Sequence, residues 1–236
     1  MVKPITVYWA CWEDTWMRAS KPELVSKRFY SKGIKDTELR SNMGINFCPA
    51  FNRSLKNLYA VKSVYDYSFT IENNRCVSEL YDQKFFDTHV LIRSLEKRLF
   101  SFNNKYLFFT DEKSLEMTAL LHPTFEENAI AERCMPISGS FDIGKWFRPL
   151  EFPFVLKKEF DKFILNDQDV MYYVRFHTDQ PIVLKQFFVS DRLVQFINGT
   201  LATTHSKLSK LGTLDDIYAL FKPKNLILRE INQNLL

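Results

Sequence analysis

Glycine is scarce in this chain, six residues in 236, and its scarcity excludes a large class of sites. Phosphate-cradling loops need closely spaced glycines so that the backbone can approach the anion, and neither Gly-x-Gly-x-x-Gly nor a Walker loop occurs. The four cysteines, Cys11, Cys48, Cys76 and Cys134, contain no C-x-x-C pair, which a zinc ribbon needs to chelate one ion. There is no Gly-x-Ser-x-Gly elbow and no His-Glu-x-x-His helix. Proline numbers nine and no low-complexity tract or internal repeat is present, which argues against a disordered or fibrous chain. Long apolar runs are missing too. Residues 5–12 are too short for a span of about 18 apolar residues, and Glu13-Asp14 follow where a secretory cleavage site would need small residues. The expectation is a cytoplasmic protein with reduced, buried thiols and no membrane contact.

Charge of one sign is also lacking, with 32 basic against 28 acidic residues. Seven basic and four acidic residues lie between Lys185 and Leu236, so most of the net +4 sits there. That bias is well short of the basic stripe of a dedicated nucleic-acid binder.

What the chain does have is aromatic bulk: 22 Phe and 10 Tyr, which suit broad, half-buried sheet surfaces. Tyr65, Tyr67, Phe69 and Ile71 alternate with Asp66, Ser68, Thr70 and Glu72, the period of a strand with one wet face. Residues 152–156, 160–165, 170–177 and 182–189 read as further strands, and the polar stretches 166–169 and 178–181 read as the turns of an antiparallel meander. Residues 5–11 are a candidate strand, and weaker candidates are 89–92, 99–102, 106–110 and 115–121, with Asn103-Asn104 as a hairpin turn. Pro49 predicts a short helix to Tyr59. Residues 12–45 show no period and read as an irregular arm. From Ser190 the apolar spacing becomes helical, weakened at Gly199, with further starts at Thr213 and Pro223. The fold expected is a mainly β, antiparallel sandwich or jelly roll over residues 1–189, with a helical C-terminal extension over 190–236.

Four constellations carry possible chemistry. His177-Thr178-Asp179 at a strand end has the form of a facial metal triad, with iron or manganese as the alternative to no cofactor. The second imidazole would come from His205, or from His89 or His122 in a cupin-like arrangement, and Arg229 would hold a co-substrate carboxylate. The simpler reading leaves His177 on a polar strand face and Asp179 in a turn. The knot Asp142 to Pro149 offers Trp146 as a stacking surface and Arg148 as an anion clamp, with Asp142 and Arg175 counted as ligand-binding candidates. The plainer reading packs Trp146 and Phe147 in the core and uses Asp142 and Arg148 to hold a bend. Cys48, at a helix start, would feel the positive end of the helix. Last, Lys207, Lys210, Lys222, Lys224 and Arg229 would touch phosphates or an acidic partner, or form a solvated helix face.

Asn46-Phe47-Cys48-Pro49-Ala50-Phe51, Ser63-Val64-Tyr65-Asp66-Tyr67 and Phe141-Asp142-Ile143-Gly144-Lys145-Trp146-Phe147-Arg148-Pro149 together give a pattern that resembles a family of uncharacterised proteins from marine tailed bacteriophages, cyanophages among them. The likeness covers roughly residues 5–190. That family carries no established activity, so the resemblance implies a setting and no catalytic residue: a phage product acting as a virion component or as an accessory protein. The function expected is non-enzymatic binding or structure, with a protein partner or self-association. A cupin-like oxygenase using His177 and Asp179 is the alternative, and nucleic-acid or acidic-partner binding through the C-terminal helices is the second.

Overall fold

Strands that alternate bulky apolar and polar residues can bury one face only, so such sheets must meet face to face. The computed structural model, which describes residues 3–12, 19–31, 48–72, 75–207 and 213–236, has this arrangement. Its elements begin with β1 (Ile5–Cys11), β2 (Glu23–Leu24), α1 (Val25–Ser31), α2 (Pro49–Ser54), β3 (Leu58–Lys62), β4 (Tyr67–Glu72) and β5 (Arg75–Ser78). Then come α3 (Gln83–His89), β6 (Val90–Ser94), β7 (Leu99–Thr110), β8 (Glu116–Leu121), α4 (Ala129–Arg133), β9 (Cys134–Pro136) and β10 (Gly139–Asp142). The chain continues through β11 (Pro149–Leu156), β12 (Lys162–Leu165), β13 (Val170–Phe176) and β14 (Ile182–Gln186). It closes with α5 (Asp191–Lys207), α6 (Leu214–Tyr218) and α7 (Lys224–Gln233).

The protein is mainly β and sandwich-like. One sheet runs β14-β1-β7-β11-β9, with β6 beside the first half of β7. A second runs β10-β8-β13-β3-β2, and a small third runs β12-β4-β5. Between them lies an aromatic core. Phe102 of the first sheet stacks on Tyr67 of the third at 4.2 Å, Phe69 on Phe163 at 5.0 Å, and Phe152 on Tyr172 of the second at 5.0 Å. All six rings are 2% exposed or less.

The first sheet is apolar on its other face as well. Tyr8, Leu107, Phe109 and Phe187 point away from the sandwich, and Leu193 and Ile197 of α5 with Ile227 and Ile231 of α7 cover them. The C-terminal helices are therefore a third layer packed on the β body. On the far side, α1 is held by Arg28, whose guanidinium donates to both carboxylate oxygens of the buried Glu126 at 2.7 and 2.8 Å.

Three local expectations are corrected. The four segments from 152 to 189 are strands, but none pairs with its successor: β11 and β14 join the first sheet, β12 the third and β13 the second. Their turns cross between layers, so β14 runs parallel to β1, from Ile5↔Ile182 to Trp9↔Gln186. Asn103-Asn104 does not turn. The chain runs straight through as β7 because it changes neighbours there, from β6 at residues 99–102 to β1 at 106–110. The helix from Pro49 ends at Ser54, because Asn57 takes a left-handed φ of 51° and its amide donates to Thr178 O and Gln180 O at 2.8 and 3.0 Å. Leu58 and Tyr59 then enter β3. Of the arm at 12–45, residues 19–31 hold β2 and α1, and the rest lies outside the described residues, as do Asn73-Asn74.

If the ring cluster holds the layers together, Phe102→Ala lowers unfolding free energy by roughly 3–5 kcal/mol in urea titration. Ile164→Ala, on an exposed sheet face, stays within about 0.5 kcal/mol.

Candidate ligand-binding site

The knot after β10 is the bridge by which the chain leaves the second sheet and enters the first at Pro149. A bend that tight leaves backbone donors facing inward, and Asp142 takes them up. Its carboxylate accepts from Ser114 Oγ at 2.5 Å, Leu115 N at 3.0 Å and Gly144 N at 2.8 Å, and it pairs with Lys145 Nζ at 2.9 Å. Burial alone would raise this carboxyl, but the bonds from Ser114, Lys145, Leu115 and Gly144 outweigh it and hold the group below its ordinary range. Gly144 is required by space: a Cβ there would stand 2.7 Å from the Glu112 carbonyl oxygen.

Trp146 follows, 8% exposed. Phe141 and Tyr218 meet it edge-on at 5.6 and 6.1 Å, and the Arg148 guanidinium lies over its ring at 4.8 Å. The guanidinium thus lies over one face of the indole, and the side chain also lines the pocket described below. Its indole N–H is buried without an acceptor among the described residues. Arg148 makes no hydrogen bond or ion pair among the described residues, and burial lowers its pKa against the weaker pull of Glu151. Tyr218 ties α6 to the knot, its hydroxyl accepting the Asp142 N–H at 2.7 Å.

Where the knot meets α5 and α6 there is a pocket of about 240 Å³. Trp146, Phe196, Ile217 and Phe221 form apolar walls, and Lys145 and Gln195 bring polar ends. Gly199 opens its floor, since a Cβ there would meet nothing within 4 Å. Asp142, Trp146 and Arg148 lie together at the knot, and of the three Trp146 is the one among the pocket's lining residues. The pocket itself was missed, although a glycine three residues after Phe196 on one helix is the signal of an open face.

The other candidates lie elsewhere. Arg175 sits on β13 and donates to the Ser54 carbonyl at 2.5 Å, away from the knot. His177 is exposed and its Nε2 bonds Thr118 Oγ1 at 2.7 Å, while Asp179 pairs with Lys56 Nζ at 2.8 Å. Among the described residues no group of three or more His, Cys, Asp or Glu side chains is placed to hold a metal ion. The side chains of His205 and Lys207, and Lys210 altogether, lie outside the described residues. Lys222 and Arg229 are exposed. Lys224 turns inward, donating to the Glu112 carbonyl over the Phe109 ring, and burial lowers its pKa. Cys11, Cys76 and Cys134 are buried, and burial pushes the Cys76 thiol up to about 12; Cys48 is exposed at the start of α2. No described helix is long and apolar enough to cross a membrane. No family model, curated protein or solved structure matches this chain.

Because the folded Asp142 is more acidic than its unfolded value near about 3.9, its contribution is complete above that pH and is lost as pH falls further. Urea midpoints measured from pH 6 to pH 2 fall on acidification in the native chain, and Asp142→Asn removes part of that fall while lowering the midpoint at pH 6. Cys48 reacts promptly with a thiol-specific disulfide reagent in the folded protein, and the three buried thiols react only as it unfolds.

Proposed function

We propose that this chain is a non-enzymatic binding protein, a structural or accessory product of a tailed bacteriophage, and that it binds a small ligand in the pocket between the knot and the C-terminal helices. The observation that carries this reading is the apolar pocket itself, walled by Trp146, Phe196, Ile217 and Phe221 with Lys145 among its lining residues. The pocket suits a compact aromatic or apolar molecule bearing an anionic group, held by burial and oriented by Lys145. The likeness of the three sequence motifs to marine phage proteins supports the setting: host cytoplasm and the virion, with a protein partner or a second copy.

8-Anilinonaphthalene-1-sulfonate has the shape and charge this pocket suits. Fluorescence titration gives one saturable site, and Gly199→Met, which fills the floor, removes it while thermal unfolding moves up or stays put. The companion Gly199→Ala raises stability by roughly 0.5–1 kcal/mol, as expected of a helical glycine with room for a methyl group. Saturable binding untouched by Gly199→Met would sink the pocket assignment. Stoichiometric iron or manganese in purified protein, lost in His177→Ala, would replace the reading with the cupin-like oxygenase. Mass spectrometry of purified particles separates virion component from accessory protein.

A further inference from the structure

An open sheet edge presents unpaired amides and carbonyls that can receive another strand. β14 is such an edge: β1 lies on one side, and among the described residues it ends its sheet on the other. The Ile5 N–H donates to Pro181 O at 2.9 Å, and the Phe187 N–H donates to Trp9 O at 3.1 Å. Strand residues alternate in direction, so the odd-numbered positions 181–187 serve β1. Ile182 and Leu184 therefore turn their N–H and C=O groups outward. At Gln186 the outward carbonyl accepts the Leu236 N–H at 3.0 Å, which shows that this side of the strand takes a ladder partner.

Beside this edge run two hollows of about 610 and 460 Å³ that share Lys21 and Leu184. Ile182, Leu184 and Tyr59 line the larger. Trp9 lines the smaller, and its indole N–H is buried with no partner among the described residues. The charge around them is one-sided. Lys21, Lys27 and Lys185 are exposed and form no salt bridge among the described residues. The acid among the lining residues, Glu23, is engaged by Lys62 at 2.6 Å and Arg28 at 3.0 Å.

We infer that β14 is a docking edge for an extended acidic segment of a partner protein, added as a strand beside Ile182 and Leu184. Its apolar side chains lie over the groove, and its carboxylates meet Lys21, Lys27 and Lys185. Charge selects this occupant. A second copy would bring the same lysines to the edge, like charge beside like, whereas an acidic strand relieves three cations that have no salt bridge among the described residues. A segment of about four residues, at about 3.3 Å per residue, spans Ile182 to Lys185, short of the positions where Asn234 to Leu236 already pair with Gln186 to Phe188. The edge shares no lining residue with the pocket at Trp146, so the two readings stand or fall separately.

The test uses a fluorescent octapeptide of alternating Glu and Val, against one of alternating Lys and Val. Anisotropy titrations show saturable binding of the acidic peptide alone, and nitrogen-edited NMR places the largest amide shifts at Ile182 and Leu184. The double variant Lys21→Glu/Lys185→Glu, altered only at exposed positions, binds the acidic peptide at least tenfold more weakly and takes up the basic one. Gly199→Met leaves both titrations unchanged. Equal affinity for the two peptides, shifts centred elsewhere, no saturable binding, or a β14-dependent dimer in sedimentation would each overturn the inference.

Discussion

The constraint on which the rest of this structure depends is that the first sheet must be covered on both faces. β1 alternates Val7, Trp9 and Cys11 on one side with Tyr8 and Ala10 on the other, and all five are buried. A strand of that kind exposes apolar surface whichever way it turns. One face is closed by the second and third sheets, and the other by α5 and α7. The knot after β10 follows from the same demand, because Phe147 belongs to the helix-side cluster while Ile143 belongs to the sandwich core. Asp142 and Gly144 hold the bend that lets neighbouring residues serve two different layers.

Both candidate binding places are where this layering is incomplete. Between the knot and the helices, packing is dense except above Gly199, where a missing side chain leaves the pocket. Along β14, the sandwich has an edge that no described strand completes, and the groove beside it opens between that edge and β2. One place is set by a side-chain void and suits a small molecule. The other is set by an open backbone ladder and suits an extended chain. The charges differ in the same sense: Lys145 is already shared with Asp142, while Lys21, Lys27 and Lys185 form no salt bridge among the described residues.

The strands themselves were legible in the sequence, because alternation at Tyr67, Phe69 and Ile71 and the helical spacing from Leu193 report directly on which side is buried. Partner choice was not. The turns at 166–169 and 178–181 read the same whether the chain doubles back beside itself or crosses to another sheet. Only packing between layers, such as Tyr67 against Phe102 and Phe152 against Tyr172, decides that. Likewise Asn103-Asn104 carries turn chemistry, yet lies within β7, where hydrogen bonding to β6 and then to β1 overrides local preference.

The knot shows the same division at the level of a site. Its composition marked Asp142, Trp146 and Arg148 as a group, since an acid, an indole and a guanidinium so close in sequence must find partners close by. Their roles came from residues far along the chain: Ser114 and Leu115 for Asp142, Tyr218 and Phe141 for Trp146. Sequence by itself determined that this chain builds apolar-faced strands and finishes in amphipathic helices, because burial writes its period into local order. Tertiary structure alone decided which faces meet, which edge stays open and where the void falls, because those depend on side chains a hundred residues apart filling, or failing to fill, the same space.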